Sequence, residues 1–215
     1  MAIGREYLFS NSKCLKLNIA FPYEEIFKEV SAIRNQFVEY RSSYKTKGWY
    51  SLPIIGKSSK EPYAWDSYYK SAQDAVNNMQ WTEIADLCPI TKNWLSAVYP
   101  SNSYARVRFM LLEPGGYIEP HTDTEYPVLG AVNFAITNPK GCVWYWEDST
   151  LEFLPGDAYA VNISHTHSVR NDSNEDRYHL IVHHYDSTDA WKQLMIKAME
   201  EQNVQGDFRF STELF

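Results

Sequence analysis

Residues 104–123 read Tyr104-Ala105-Arg106-Val107-Arg108-Phe109-Met110-Leu111-Leu112-Glu113-Pro114-Gly115-Gly116-Tyr117-Ile118-Glu119-Pro120-His121-Thr122-Asp123. The first half alternates polar and apolar side chains with the period of a strand. Glu113-Pro114-Gly115-Gly116 predicts a turn, and Tyr117–His121 a second strand. Downstream, Val128–Thr137 predicts a strand stopped by Asn138-Pro139-Lys140-Gly141. Short strands follow at Cys142–Trp146, Leu151–Phe153, Ala158–Ile163 and Arg177–His184. Strands this short and this regularly punctuated predict an all-β core, a sandwich or barrel.

The chemistry-bearing residues lie inside this region. His121 and Asp123 are two residues apart, so on a strand both point to one face and can meet one ion. A lone pair of this kind is more often an ordinary core or surface feature than a metal site. The run Ser164-His165-Thr166-His167-Ser168-Val169-Arg170-Asn171 offers a third ligand, from His165 or His167. Two imidazoles and one carboxylate on one face of a divalent ion, with the other positions open, is the ligand set of non-haem Fe(II) sites. In a double-stranded β-helix an early and a late strand lie side by side, which brings a distant His to the His121/Asp123 pair. Arg177 follows ten residues after His167 and opens an otherwise apolar strand, with His179 on the same face.

Either side of this region the pattern is mixed. Leu15–Ile19 alternates like an edge strand. Pro22 then starts a helix to about residue 37, with Tyr23, Ile26, Phe27, Val30 and Ile33 at helical spacing. Trp49–Ile55 predicts a strand, Pro62–Tyr69 is aromatic and irregular, and Thr82–Leu87 and Pro89–Val98 predict two short helices. Thr188–Glu201 predicts a last helix, before a tail whose Phe208, Phe210 and Phe215 either dock on the barrel or pair two subunits as a homodimer. This divides the chain into a mixed helical extension (1–100) packed on the barrel, a β core (101–186), and a C-terminal helix and tail (187–215).

Composition narrows the class. The chain has 215 residues, 44% hydrophobic and 15% aromatic, enough for one sizeable core. A formal net charge of -7 opposes tracking of phosphates, so no nucleic-acid partner is expected. Cys14, Cys88 and Cys142 are odd in number and lack any paired spacing, which argues against a disulfide framework or zinc knuckle. The sequence has no apolar run of membrane-spanning length and no signal-peptide pattern, so the expectation is a cytoplasmic protein without a membrane partner.

From about Tyr104 to Tyr185 the chain resembles the Fe(II)/2-oxoglutarate-dependent oxygenases of the aspartyl/asparaginyl β-hydroxylase family. Their bacterial amino-acid hydroxylase relatives, such as the proline cis-4-hydroxylases, are included. The resemblance is carried by Pro120-His121-Thr122-Asp123, Asn133-Phe134-Ala135-Ile136-Thr137-Asn138-Pro139, Pro155-Gly156-Asp157, His167-Ser168-Val169-Arg170-Asn171 and Arg177-Tyr178-His179-Leu180-Ile181-Val182. It implies an all-β core with flanking helices, folded as a double-stranded β-helix of the jelly-roll, cupin-like kind. It also implies Fe(II) held by His121, Asp123 and His167, and 2-oxoglutarate held through its distal carboxylate by Arg177. His167 rather than His165 registers on the family motif. His179 resembles a second polar contact to that carboxylate, and Asn133 falls where relatives often carry a His that touches the co-substrate.

The resemblance further implies O₂ as co-reactant and a small-molecule or peptide substrate. The hydroxylases that give the family its name lack the carboxylate ligand, so Asp123 sets this chain nearer the free-amino-acid branch. Arg106 and Arg108, on the strand leading to His121, are candidate partners for a substrate carboxylate. Nucleic-acid demethylating relatives carry a second arginine shortly after the first, and between Arg177 and Tyr185 there is none. Two other readings stay open. One is a metal-dependent cupin of another reaction class, since Pro155-Gly156-Asp157 followed by His167 and Asn171 also resembles a cupin motif. The other is a non-catalytic cupin module that binds a small molecule.

Overall fold

The computed structural model describes residues 12–40, 46–61, 79–101, 104–123, 129–184 and 188–204. The aromatic segment Pro62–Tyr69 and the tail phenylalanines lie outside them. The strands are β1 (Cys14–Leu17), β2 (Val38–Glu39), β3 (Lys47–Gly56), β4 (Gln80–Trp81), β5 (Tyr104–His121), β6 (Leu129–Ala135), β7 (Cys142–Trp146), β8 (Thr150–Leu151), β9 (Ala158–Val161), β10 (His167–Asn171) and β11 (Arg177–His184). The helices are α1 (Tyr23–Ala32), α2 (Ile84–Leu87), α3 (Pro89–Ala97) and α4 (Asp189–Gln202).

Hydrogen bonding runs in the order β1-β9-β6-β11-β5-β10-β7-β8, antiparallel throughout, with β3 also beside β5. The long strand β5 belongs to two layers. Its first part, from Tyr104 to Leu112, pairs with β11 and β3, while Tyr117–His121 pairs with β10. One layer is therefore β1-β9-β6-β11-β5-β3 and the other is the end of β5 with β10, β7 and β8. This curled antiparallel sheet with flanking helices is a double-stranded β-helix, or jelly roll. Strands β1 and β3, from the first hundred residues, are members of its larger layer.

The expected turn at Glu113–Gly116 is instead the corner of β5. The chain does not reverse there; the partner register jumps from Trp49↔Leu112 to Lys47↔Tyr117, a bulge that lets one strand change layers. Gly115 sits at φ +67, which favours glycine, and a Cβ on Gly116 would lie 2.7 Å from the Glu113 carbonyl oxygen and 2.9 Å from that of Lys47. Asn171 fastens the corner. Fully buried, its side-chain amide donates to the carbonyls of Leu112, Glu113 and Glu175, and its Oδ1 accepts from Ser173 and from the Cys142 thiol.

Alternation along β5 divides the core in two. Val107, Phe109 and Leu111 face the helices in a cluster with Phe134, Leu180, Trp94 and Trp191. Burying each of these large side chains contributes roughly 2–3 kcal/mol. Met110 and Leu112 face the space between the layers, with Trp49, Ile118, Trp144, Trp146, Phe153 and Val169. The helix expected over residues 22–37 ends at Ala32 and continues as a single 3-10 turn, Arg34–Gln36. Thr188 caps α4 by accepting from the Trp191 amide. Among the described residues no helix is long and apolar enough to cross a membrane.

Candidate metal and co-substrate site

The layer change in β5 determines where His121 ends up. It is the last residue of the strand and lies directly opposite His167, the first residue of β10. Their ring centroids are 4.4 Å apart. Asp123 is beyond the strand, not on it as the spacing suggested. Its amide donates to the Ile163 carbonyl at 2.9 Å, and this bond turns the carboxylate back so that Oδ2 is 3.8 Å from His121 Nε2. One ligand atom from each of His121, Asp123 and His167 lies within 4.8 Å of the others.

Both imidazoles are oriented by main chain two residues back. His121 Nδ1–H donates to the Glu119 carbonyl at 2.8 Å and His167 Nδ1–H to the His165 carbonyl at 2.9 Å. With the proton fixed on Nδ1, each ring presents the Nε2 lone pair, the form that ligates a metal. The His167 ring stacks on Trp144 at 4.8 Å and 9°. Burial holds it down at a pKa of about 4, with the nearby His121 adding to the effect, so it is neutral near pH 7. His165 is exposed and outside the cluster; only its carbonyl takes part. Two imidazoles and a carboxylate, half-open to solvent, suit a divalent iron with free positions.

At the other end of the cavity, by the β5 corner, Arg177 opens β11 opposite Leu112. Its Nε donates to Asn138 Oδ1 at 3.1 Å and its Nη2 to His179 Nδ1 at 3.0 Å, and the guanidinium lies over the Phe153 ring. Arg177 is 5% exposed, and among the described residues no carboxylate pairs with it. Burial pulls its pKa down to about 10, still protonated near neutrality. Since guanidinium only donates, His179 must accept at Nδ1 and carry its proton on Nε2. That Nε2 is buried without a partner, and burial together with Arg177 keeps the ring neutral. A buried cation with no counter-ion among the described residues, beside an idle N–H donor, fits the distal carboxylate of 2-oxoglutarate.

The remaining sequence candidates are also placed. Asn133 is buried on β6 opposite Ile181, on the face shared with Ala135 and His179. Arg108 is buried on the inner face with Met110, and Arg106 is half-buried nearer the strand end. Asn138, Phe153 and Trp144 were not singled out for the site from sequence. Asn138 and Phe153 come from the segments after β6 and β8, and only the fold brings them to Arg177.

Residues 22–187 match the family model for aspartyl/asparaginyl β-hydroxylase. The chain belongs to this family. It is an enzyme of the 2-oxoglutarate- and Fe(II)-dependent oxygenase class, with Fe(II) and 2-oxoglutarate as its cofactors. No curated protein sequence matches this hydroxylase-family chain. Among solved structures it is similar to a prolyl-4-hydroxylase of Pseudomonas putida (TM-score 0.47, 11% identity, 83% of this chain and 95% of that one). An oxidoreductase of the 2OG-Fe(II) oxygenase family from Burkholderia pseudomallei is also similar (TM-score 0.43, 12% identity, 76% and 82%). A cupin 2 domain-containing protein from Halorhodospira halophila shares a smaller part (TM-score 0.30, 16% identity, 46% and 68%).

Proposed function

We propose that this oxygenase hydroxylates a C–H bond of a free amino acid or amino-acid-like small molecule, with a residue inside a peptide as the alternative. His121, Asp123 and His167 hold the iron, and Arg177 holds the distal carboxylate of 2-oxoglutarate. When bound, iron with 2-oxoglutarate and O₂ supplies the oxidising chemistry, giving succinate, CO₂ and a hydroxylated product.

The protein's own part is orientation. The two Nδ1–H bonds to main-chain carbonyls keep both imidazoles aimed at one point before any ion arrives, so little reorganisation is needed. Arg177 is held flat by Asn138, His179 and Phe153, leaving its remaining donors to grip a carboxylate, and His179 Nε2–H offers one more bond. Asn133, on the same face, is assigned to the co-substrate's surroundings. Arg106 and Arg108 are assigned to the substrate. Trp144, Trp146 and Phe153 line the space between and keep water from the reacting centre.

The observation that carries this reading is the pairing of an open His121/Asp123/His167 cluster with a buried guanidinium that has no acidic partner among the described residues. A metal cupin without 2-oxoglutarate has no use for that cation. Calorimetry of 2-oxoglutarate with the anaerobic Fe(II) protein tests it. Arg177→Ala should raise Kd about 100-fold, since truncating a buried, paired charge costs about 3 kcal/mol. Equal binding by wild type and variant would move the reading to the cupin alternative.

A further inference from the structure

Trp144 and Trp146, alternate residues of β7, face the space between the two layers, and each is 7% exposed. The Nε1 of each is buried with no hydrogen-bond partner among the described residues. An indole N–H can only donate, and burying it unpaired is costly. A core position that asks only for bulk is filled by phenylalanine without that cost, as Phe153 does on the same surface. An idle indole here points to an acceptor that arrives with a ligand.

Their neighbours separate the two. Trp146 lies opposite His167 in the ladder between β7 and β10, and its ring meets Trp144 at 5.9 Å. Trp144 is stacked on the His167 ring itself, 4.8 Å away and within 9° of parallel. On its other side it meets Phe153 at 6.4 Å. Phe153 in turn packs edge-on against His179 at 4.8 Å, and the Arg177 guanidinium lies 5.9 Å from its centre. Ring contacts thus run unbroken from an imidazole of the metal cluster to the pair that faces the distal carboxylate, and Trp144 is the member next to the metal end. A diacid fixed at both ends passes along this row. The oxygens it brings to Trp144 are those at the metal end, on the carboxylate next to the keto group.

We propose that Trp144 is a further co-substrate-binding residue: its Nε1–H donates to the carboxylate next to the keto group of 2-oxoglutarate, at the opposite end from Arg177. The inference rests on the 2-oxoglutarate oxygenase reading and deepens it. The diacid is then held by a fixed donor at each end, by Arg177 with His179 at one and by Trp144 beside His167 at the other. A bond to an ionised oxygen in a buried site is of the stronger kind.

The test uses the full chain under nitrogen. Calorimetry gives the Kd of 2-oxoglutarate for the Fe(II) protein and, separately, the Kd of Fe(II) alone. Trp144→Phe keeps a flat ring for His167 to stack on and removes the donor. It should raise the 2-oxoglutarate Kd by about tenfold or more, the loss expected for a hydrogen bond to a charged group, and leave that of Fe(II) within about twofold. The visible charge-transfer absorption of the Fe(II)–2-oxoglutarate complex should also move, because the bond polarises the chelating carboxylate. In the wild type loaded with Zn(II), the indole N–H proton of Trp144, recognised by its Overhauser contacts with the His167 ring, should shift downfield when 2-oxoglutarate is added. An unchanged 2-oxoglutarate Kd in Trp144→Phe overturns the proposal. A Trp144 proton that does not shift also overturns it, even if the variant does not fold. Equal losses of Fe(II) and 2-oxoglutarate affinity would make the indole a support for His167 alone, and a shift of the Trp146 proton instead would give the contact to the other indole; either result overturns the assignment. A wild type that does not bind 2-oxoglutarate at all is a different result, and sinks the oxygenase reading itself.

Discussion

At the open end of the barrel, His121 and His167 are held by bonds to carbonyls two residues back, and Asp123 by one main-chain bond to Ile163. At the closed end, Arg177 and His179 are held by side chains from other segments: Asn138, Phe153 and, through the corner, Asn171. The first end is partly exposed and its three groups converge on one point. The second is almost completely buried and already half satisfied. A site tethered to local main chain should lose function without losing the fold when a ligand is removed, whereas one built from distant side chains should lose stability as well.

The sharpest expected effect is at the open end. Ala at His121, Asp123 or His167 should each abolish stoichiometric Fe(II) binding and lower succinate formation by about a thousandfold or more, with thermal unfolding little changed. His165→Ala should keep both, because that residue contributes only its carbonyl. Iron analysis of the purified variants checks this. Loss of iron from the His165 variant but not from the His167 variant would reverse the ligand assignment.

How much was legible in the sequence follows the same division. The metal cluster could be read because two of its members are two residues apart and the third is in a short motif. The strand series that makes the jelly roll was visible because alternation is local. The corner was misread: Glu113-Pro114-Gly115-Gly116 has the composition of a turn, and nothing local says that a strand will pair on both sides of it. Asp123 was expected on the strand, yet β5 stops at His121 because the ladder with β10 stops there. Asn138 and Phe153 carry no local signature of their contact with Arg177, which depends on the curl of the whole sheet.

The corner supplies the next test of the comparison, with an intermediate effect. Asn171 belongs to the sequence motif of His167, but its side-chain hydrogen bonds go to none of His121, Asp123 or His167. It satisfies the carbonyls of Leu112, Glu113 and Glu175 where β5 changes layers, just ahead of Arg177. Asn171→Ala removes a donor from each of these carbonyls, that of Glu175 keeping a second one from the Ser173 hydroxyl, and should cost about 3 kcal/mol in chemical denaturation. Iron binding, measured below the unfolding transition, should persist. A variant as stable as wild type would show that the closed end does not depend on this clamp.

The smallest effect concerns His179, whose pKa is depressed by burial and by Arg177. The sign follows from linkage. Below the ordinary value of 6.5 the unfolded chain takes up a proton that folded His179 refuses, so this group makes stability fall as pH falls through 6.5. Between pH 7.5 and 5.5 one such proton is worth about 1.4 kcal/mol. Other histidines add slopes of their own, so the useful quantity is the difference between wild type and His179→Gln in the metal-free protein. The glutamine keeps an acceptor for Arg177 but cannot titrate, and urea denaturation at the two pH values should show a wild-type loss larger by about that amount. Identical slopes would mean that His179 is protonated alike in both states, and hence that the closed end is open to water and no more preorganised than the metal end.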